Sequence, residues 1–480
     1  MKNNNKKVFF NFIWRFLERT GAQLVTFVVS IILARLIDPE IFGTIALVTV
    51  FTSILQVFVD SGLGSALIQK KDADDLDFST VFFFNVMMCL GLYFLIFFVA
   101  PLIAHFYDIQ ELVPIVRVLS LTIVISGVKN IQQAYVTRNL LFKRFFYATL
   151  IGTISAAIVG VTMAIKGYGV WAIVLQGLIN NTVDTIVLWI TVKWRPKFQF
   201  SFNRLKGLFS YGWKLLVSAL LDTGYGQLRQ LLIGKIYTSS DLAFYNRGHV
   251  FPNAIVTNIN TSIDSVLFPT MSKEQDDRER VKAITRRAIK TSTFLIMPAM
   301  VGLAVCAEPL VSIILTDKWL PCVPFLRIFC FTFAFYPIHT ANLNAIKAMG
   351  RSDYFLKLEI IKKIVGLIAL FSTIWISVMA MAYSLLFTSV ISQIINSWPN
   401  KKLLGYSYID QVKDMLPQIG ASLLMGAVVY SVCLLNLGDI VTLIVQIPVG
   451  ILVYIIESKI FKIDSYIYTK NMIKNLLGKA

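Results

Sequence analysis

Charge is scarce in this sequence. Of 480 residues, only 15% are Asp, Glu, Lys or Arg, while 56% are hydrophobic. A soluble chain of that length divides into domains with charged surfaces, so the composition excludes one. Histidine is scarcer still, at three residues, and the five cysteines (Cys89, Cys306, Cys322, Cys330, Cys433) form no Cys-x-x-Cys pair. Neither a metal-ligand cluster nor a Ser/His/Asp arrangement can be assembled from them, and packing thiols are the expectation. Segments of alternating hydrophobicity, the mark of a membrane β-barrel, are also missing. Every connection between apolar runs is short, which leaves no sizeable soluble domain on either face. The basic start "MKNNNKKVFFNFIWRF" meets no small-residue cleavage site, so no cleaved signal peptide is expected.

What the chain has is apolar runs of about 20 residues, the length that crosses a hydrocarbon core, almost from end to end. They fall near 12–36, 43–68, 79–104, 113–135, 147–165, 170–192, 208–234, 243–268, 290–315, 324–346, 355–376, 378–398, 416–436 and 439–457. The expected fold is an all-α polytopic membrane protein with about fourteen spans. As one helix, 355–398 would measure roughly 65 Å, twice the bilayer core, so a tight hairpin is expected near Ile376 to Met379.

The connections alternate in charge. One set carries "KKV", "QKK", "RNLLFKR", "KWRPKFQFSFNRLKG", "SKEQDDRERVKAITRR", "KAMGR", "NKK" and the Lys-rich tail. The other carries "DPE", "HFYDIQE", "KGYG", "TSSD", "TDK" and "LGD", with few basic residues. Lys and Arg excess marks the cytoplasmic side, which puts both termini there. The same rule accounts for the net charge of +18 without a nucleic-acid partner.

The region "LARLIDPEIFGTIAL" has a loose echo about 200 residues on, in "IGKIYTSSDLAFYNR". Asp60 and Asp264 recur at similar depth in the spans that follow. This predicts two pseudo-symmetric six-helix lobes, 1–200 and 201–400, and two further helices with a basic tail in 401–480. Two lobes around a midplane site are a common plan for alternating-access transporters.

An ionisable group at membrane depth is costly unless it faces water, a partner or a substrate. Lys214, Asp222 and Arg229 share one span, and at 100° per residue they fall within roughly 80° of arc. That face cannot look at lipid. It is either a salt-bridge set that fixes packing or the wall of a polar cavity. Lys129, Asp184, Arg247, Asp264, His339, Glu359, Lys362 and Lys363 are further candidates. Long stems near span ends can instead snorkel to the interface, and a lone His is more often a packing residue. The expectation is a cavity richer in cations than acids, suited to an anionic substrate such as a diphosphate.

These segments resemble a known family. "ERTGAQLVTFVVSIILARLIDPEIFGTIALV" and "VDSGLGSALIQKKDADDLDFSTVFFFN" are similar to the opening of Wzx-type polysaccharide flippases, the WzxC-like branch of the MOP exporter superfamily. "RNLLFKRF", "GYGVWAIVLQ", "WRPKFQFSF", "FSYGWKLL", "AFYNRGHVFPN", "VLFPTMSKEQDDRER" and "DKWLPCVPFLRI" continue the likeness in order along nearly the whole chain. "IDPE" and "YTSSD" depart from the turn residues usual in the family.

The resemblance implies a MATE-like fold in a bacterial inner membrane. It also implies movement of a polyprenyl-diphosphate-linked oligosaccharide (an O-antigen, capsule or exopolysaccharide precursor) from the cytoplasmic to the periplasmic leaflet. Polysaccharide polymerase and chain-length machinery are its candidate partners beside the bilayer. Cavity cations are substrate contacts in such a family, and Lys214 and Arg229 occupy a comparable place; Lys129, Arg247 and Lys362 join them as expected phosphate contacts from their own positions within spans, with no family motif behind them. Asp60, Asp222 and Asp264 gate the path or couple it to H⁺ or Na⁺, and no cofactor is needed.

One rival is a multidrug exporter of the same superfamily, which would favour an apolar, acidic cavity. A remoter one is a membrane polymerase, ligase or glycosyltransferase, with "KKDADDLD" offering Asp72/Asp74 and Asp75/Asp77 to a divalent metal. The plain reading of that loop is a solvated acidic turn.

Overall fold

The computed structural model describes residues 20–60, 62–70, 72–139, 141–435 and 437–476. The first eight residues of the first expected span lie outside that range. Contacts divide the chain into two compact units between Ala243 and Phe244.

The first unit opens with α1 (Thr20–Leu36), which packs through Val29 and Leu33 against Ala164 and Ala172. Next come α2 (Pro39–Asp60) and α3 (Leu63–Gln69). The bend between them is at Gly62, whose φ of 67° lies in the left-handed region that favours glycine. A Cβ there would also stand 2.7 Å from the carbonyl oxygen of Gly212. The rest of the unit is α4 (Asp75–Tyr107), α5 (Leu112–Leu119), α6 (Leu121–Arg138), α7 (Phe142–Ile165), α8 (Val170–Thr191) and α9 (Phe202–Ile236). α9 packs on α2, α3 and α4 within this unit. Its main core gathers Leu67, Phe78, Ile131, Phe145, Leu188 and Trp194 from α3, α4, α6, α7, α8 and the turn after α8.

The second unit holds most of α10 (Ser239–Lys273), then α11 (Arg278–Val305), α12 (Ala307–Leu315) and a 3₁₀ turn (Asp317–Cys322). It continues with α13 (Val323–Ala334), α14 (Tyr336–Ala348), α15 (Ser352–Thr373), α16 (Val378–Leu404), α17 (Tyr408–Cys433), α18 (Asp439–Ile460) and α19 (Asp464–Leu476). α17 packs on α11 and α18, and α15 on α16. The hairpin expected near Ile376 is present: α15 stops at Thr373, and Ser377 caps α16 by accepting from the Ala380 amide at 3.0 Å.

Among the described residues, ten helical stretches are long and apolar enough to cross a membrane. The other four expected spans coincide with α1, α9, α10 and α15, all helical. α9, α10 and α15 carry most of the charges picked out above, which makes them less apolar than the other ten. Several helices also overrun their apolar windows. α11 starts at Arg278, inside the stretch "SKEQDDRERVKAITRR" expected to be a connection, because Asp277 caps it by accepting from the Arg280 amide at 3.0 Å. The run 290–315 is broken at Cys306, where α11 gives way to α12.

Candidate functional site

In the first unit, charged and amide side chains from three membrane helices meet. Lys129 of α6 donates to Asp184 Oδ2 at 3.0 Å and to Asn181 Oδ1 at 3.2 Å, both on α8. The pair is largely buried, with side chains 12% and 13% exposed. The second oxygen of Asp184 is buried without a hydrogen-bond donor. Close approach of α7 to α8 positions this carboxylate, since a Cβ on Gly152 would stand 3.2 Å from Asp184 Cβ.

Asp60, at the end of α2, accepts from Asn130 Nδ2 of α6 at 3.2 Å and from Gln56 Nε2 at 3.4 Å. It is exposed to a cavity of about 450 Å³, lined also by Thr52, Ser53, Gln56, Thr122, Asn181 and Thr223. Lys129 acts on Asp60 electrostatically but hydrogen-bonds to Asp184 instead. Asn181, which lines this cavity, also accepts from Lys129, so the buried Lys129–Asp184 pair lies directly behind the cavity wall. Thr223 brings α9 to its wall, next in sequence to Asp222. Because α9 is one unbroken helix, Lys214, Asp222 and Arg229 keep their shared stripe. Lys214 and Asp222 are exposed, and Arg229 is half-buried.

The second unit repeats part of this pattern. Asp264 of α10 accepts from Asn344 Nδ2 of α14 at 2.7 Å, as Asp60 accepts from Asn130. In both units the amide comes from the second half of a broken helix, α5–α6 or α13–α14. Beside it, Thr340 donates to Asn260 at 2.7 Å, and Asn342 exchanges hydrogen bonds with Gln411 at 2.9 Å each way. Asn400 donates to Asn342 Oδ1 at 2.7 Å. His339 sits 3.1 Å from the Asn396 amide, as a packing histidine does.

The remaining candidates are dispersed. Arg247 is only 6% exposed and lies over the Trp319 ring, 4.9 Å from its centroid. Lys362 pairs with Glu359 one helical turn away at 2.6 Å. Lys363 is half-buried on the same helix. The cysteines are free, four of them buried. In the acidic loop, Asp74 and Asp77 form a capping box at the start of α4. Asp77 pairs with Lys70 at 2.6 Å and Asp75 with Lys197 at 2.7 Å. The Asp77 amide, with help from Arg204, holds the Asp74 carboxyl below the usual carboxylate range. These carboxylates thus have structural partners.

The sequence reading named Lys129 and the acids but passed over their amide partners. Gln56, Asn130, Asn181 and Asn344 carry no charge, so hydropathy barely registers them. The available signal was amide residues clustered inside apolar runs, as in "KNIQQ" and "ANLNA".

A family model described as "Polysaccharide biosynthesis protein" matches residues 32–324. The chain belongs to that family. The Wzx-type resemblance is borne out by its relatives. The member described here is 28% identical over 323 residues to the succinoglycan biosynthesis transport protein ExoT of Rhizobium meliloti (strain 1021), covering 66% of this chain and 64% of that one. It is 26% identical over 309 residues to the teichuronic acid biosynthesis protein TuaB of Bacillus subtilis (strain 168), covering 63% of each. The match thus spans a little under two thirds of the length of these two relatives. The lipopolysaccharide biosynthesis protein WzxC of Escherichia coli (strain K12) is 24% identical over 339 residues, 69% of this chain and 68% of its own.

Among solved structures, the fold is similar to the lipid II flippase MurJ in an inward closed conformation. The TM-score is 0.78 over 94% of this chain and 99% of that one, at 17% identity. A multidrug resistance MATE family transporter of the MOP superfamily, inward-facing, gives 0.63 over 80% and 94%, at 15% identity. This family member therefore has the MATE-like fold expected from its sequence.

Proposed function

We propose that the protein moves a polyprenyl-diphosphate-linked oligosaccharide across a bacterial inner membrane, from the cytoplasmic to the periplasmic leaflet, by alternating access. The family match carries this reading, since relatives named for succinoglycan transport and lipopolysaccharide biosynthesis share most of the chain. The two six-helix lobes of 1–200 and 201–400 rock about the substrate, and 401–480 adds a helix pair. Both termini are cytoplasmic, by the distribution of lysines and arginines. The diphosphate enters among cations while the polyprenyl tail stays in lipid.

Lys214 and Arg229 are the phosphate ligands this reading favours, because α9 cannot bury its charged stripe in lipid. Lys129 joins them only after leaving Asp184, so phosphate and carboxylate compete for one ammonium group. A ligand shifts a two-state equilibrium only by binding the states unequally, and that exchange of partners supplies the difference. Asp60, Asp222 and Asp264 are the acids available to a coupling H⁺ or Na⁺. Asp60 is foremost, because it is open to the cavity and takes its hydrogen bonds from the neutral amides of Gln56 and Asn130. Arg247 and Lys362 join the path only if rocking frees them from Trp319 and Glu359.

The test uses proteoliposomes carrying the purified full chain. A fluorescent polyprenyl-diphosphate glycan should cross leaflets at a rate that rises with an imposed ion gradient, and Asp60→Asn should lose that rise. Transport of a lipophilic organic cation with none of the diphosphate lipid would instead favour the multidrug-exporter reading.

A further inference from the structure

Residues 192–201 join α8 to α9 without a helix, yet their backbone is fastened along its length. Gln132 Nε2 donates to the Trp194 carbonyl at 3.1 Å. The Lys197 amide donates to Ser79 Oγ at 3.0 Å, and the Ser201 amide to Thr80 Oγ1 at 3.1 Å. Trp194 is buried, with its indole N–H 3.3 Å from Asp75.

This tethered chain holds apolar rings outward. Phe198 is 97% exposed, and Phe200 and Phe202 are exposed as well. Phe198 stacks on Phe83 of the membrane helix α4, with ring centroids 5.6 Å apart, so its outward pose is supported from beneath. α9 continues the ring surface. Phe202, Phe209 and Trp213 fall within about 40° of one helix face at 100° per residue, and all three are exposed. A fixed backbone that presents this many aromatic rings is a surface made for an apolar medium.

The same stretch is basic. Lys193, Arg195, Lys197 and Lys206 are exposed. Acids neutralise part of this charge: Asp75 pairs with Lys197 at 2.7 Å, and Asp74 and Asp77 sit 3.5 and 3.4 Å from Arg204. Arg195 donates to the carbonyls of Trp189, Val192 and Trp194 and lies over the Trp189 ring, 5.2 Å from its centroid, with no carboxylate within ion-pair distance among the described residues. Lys193 and Lys206 have no carboxylate within ion-pair distance among the described residues.

We propose that residues 193–206 form an interfacial anchor occupied by anionic phospholipid. Phe198, Phe200 and Phe202 lie among the acyl chains, while Lys193, Arg195 and Lys206 meet lipid phosphate. Charge complementarity selects this occupant, and the segment joins one membrane helix to the next, where rings flanked by cations meet headgroups. The anchor sets the depth at which α9 enters the bilayer.

The experiment places a bimane probe at Phe198→Cys in a C433S chain, the other four cysteines being buried. The labelled protein is reconstituted in phosphatidylcholine vesicles containing nitroxide-labelled phosphatidylglycerol or nitroxide-labelled phosphatidylcholine. Both lipids should quench the probe, the anionic one more strongly. A lysine near an anionic surface corresponds to about fivefold in lipid affinity, so K193Q/K206Q should bring the quenching ratio close to one. K193R/K206R should keep it. A probe that neither lipid quenches means water or protein covers the segment, and overturns the proposal. So does a preference that K193Q/K206Q leaves unchanged.

Discussion

Replacing Lys129 alone leaves the Asp184 carboxylate in a buried place where one oxygen already lacks a donor. Breaking such a pair costs about 3–5 kcal/mol, because the remaining charge is uncompensated. Lys129→Ala should therefore lower the unfolding temperature in detergent markedly. The double variant Lys129→Leu/Asp184→Leu should regain most of it, since an apolar pair of similar size needs no partner. Equal destabilisation by the single and double variants would show that the pair does not hold α6 to α8. At this scale the sequence was half legible. The charges stood out because a charged residue is rare in an apolar run. Their partners did not, because Asn130 and Asn344 differ from their neighbours in hydrogen-bonding capacity rather than in charge. Nor does spacing along one helix reveal that Lys129 faces Asp184, 55 residues away, rather than Asp60.

Whole helices were easier to read. Twenty-residue apolar runs are fixed by bilayer thickness, so their positions survive ignorance of all packing. Helix ends were less legible, because polar first turns such as the one Asp277 caps belong to the helix without belonging to the membrane. The bend after Asp60 rests on one residue: Gly62 of "SGLG" is in a left-handed conformation against α9. Gly62→Ala adds backbone strain of about 1–3 kcal/mol and a clash with the Gly212 carbonyl. It should destabilise the chain and disturb the approach of α3 to α9, seen as faster protease cleavage near residue 62. Gly207→Ala is a fitting control, as nothing lies within 4 Å of a Cβ there. Equal cleavage of both variants would remove Gly62 as the hinge.

For the molecule as a whole, the division of labour among helices is the main lesson. Among the described residues, ten stretches satisfy the bilayer by composition alone. α9, α10 and α15 do not, and they carry Lys214, Asp222, Arg229, Arg247, Asp264, Glu359, Lys362 and Lys363. A helix that keeps such residues within a membrane protein must turn them to water, to each other or to a substrate. The central claim is that the α9 cations meet the diphosphate of a lipid-linked glycan. The most direct measurement is the leaflet-crossing rate of a fluorescent polyprenyl-diphosphate glycan in proteoliposomes, with Lys214→Ala and Arg229→Ala compared with the parent chain at equal protein. Loss of one charge-assisted phosphate contact corresponds to about tenfold or more, so each variant should slow crossing by that factor. Crossing at the parent rate in both variants would contradict the account.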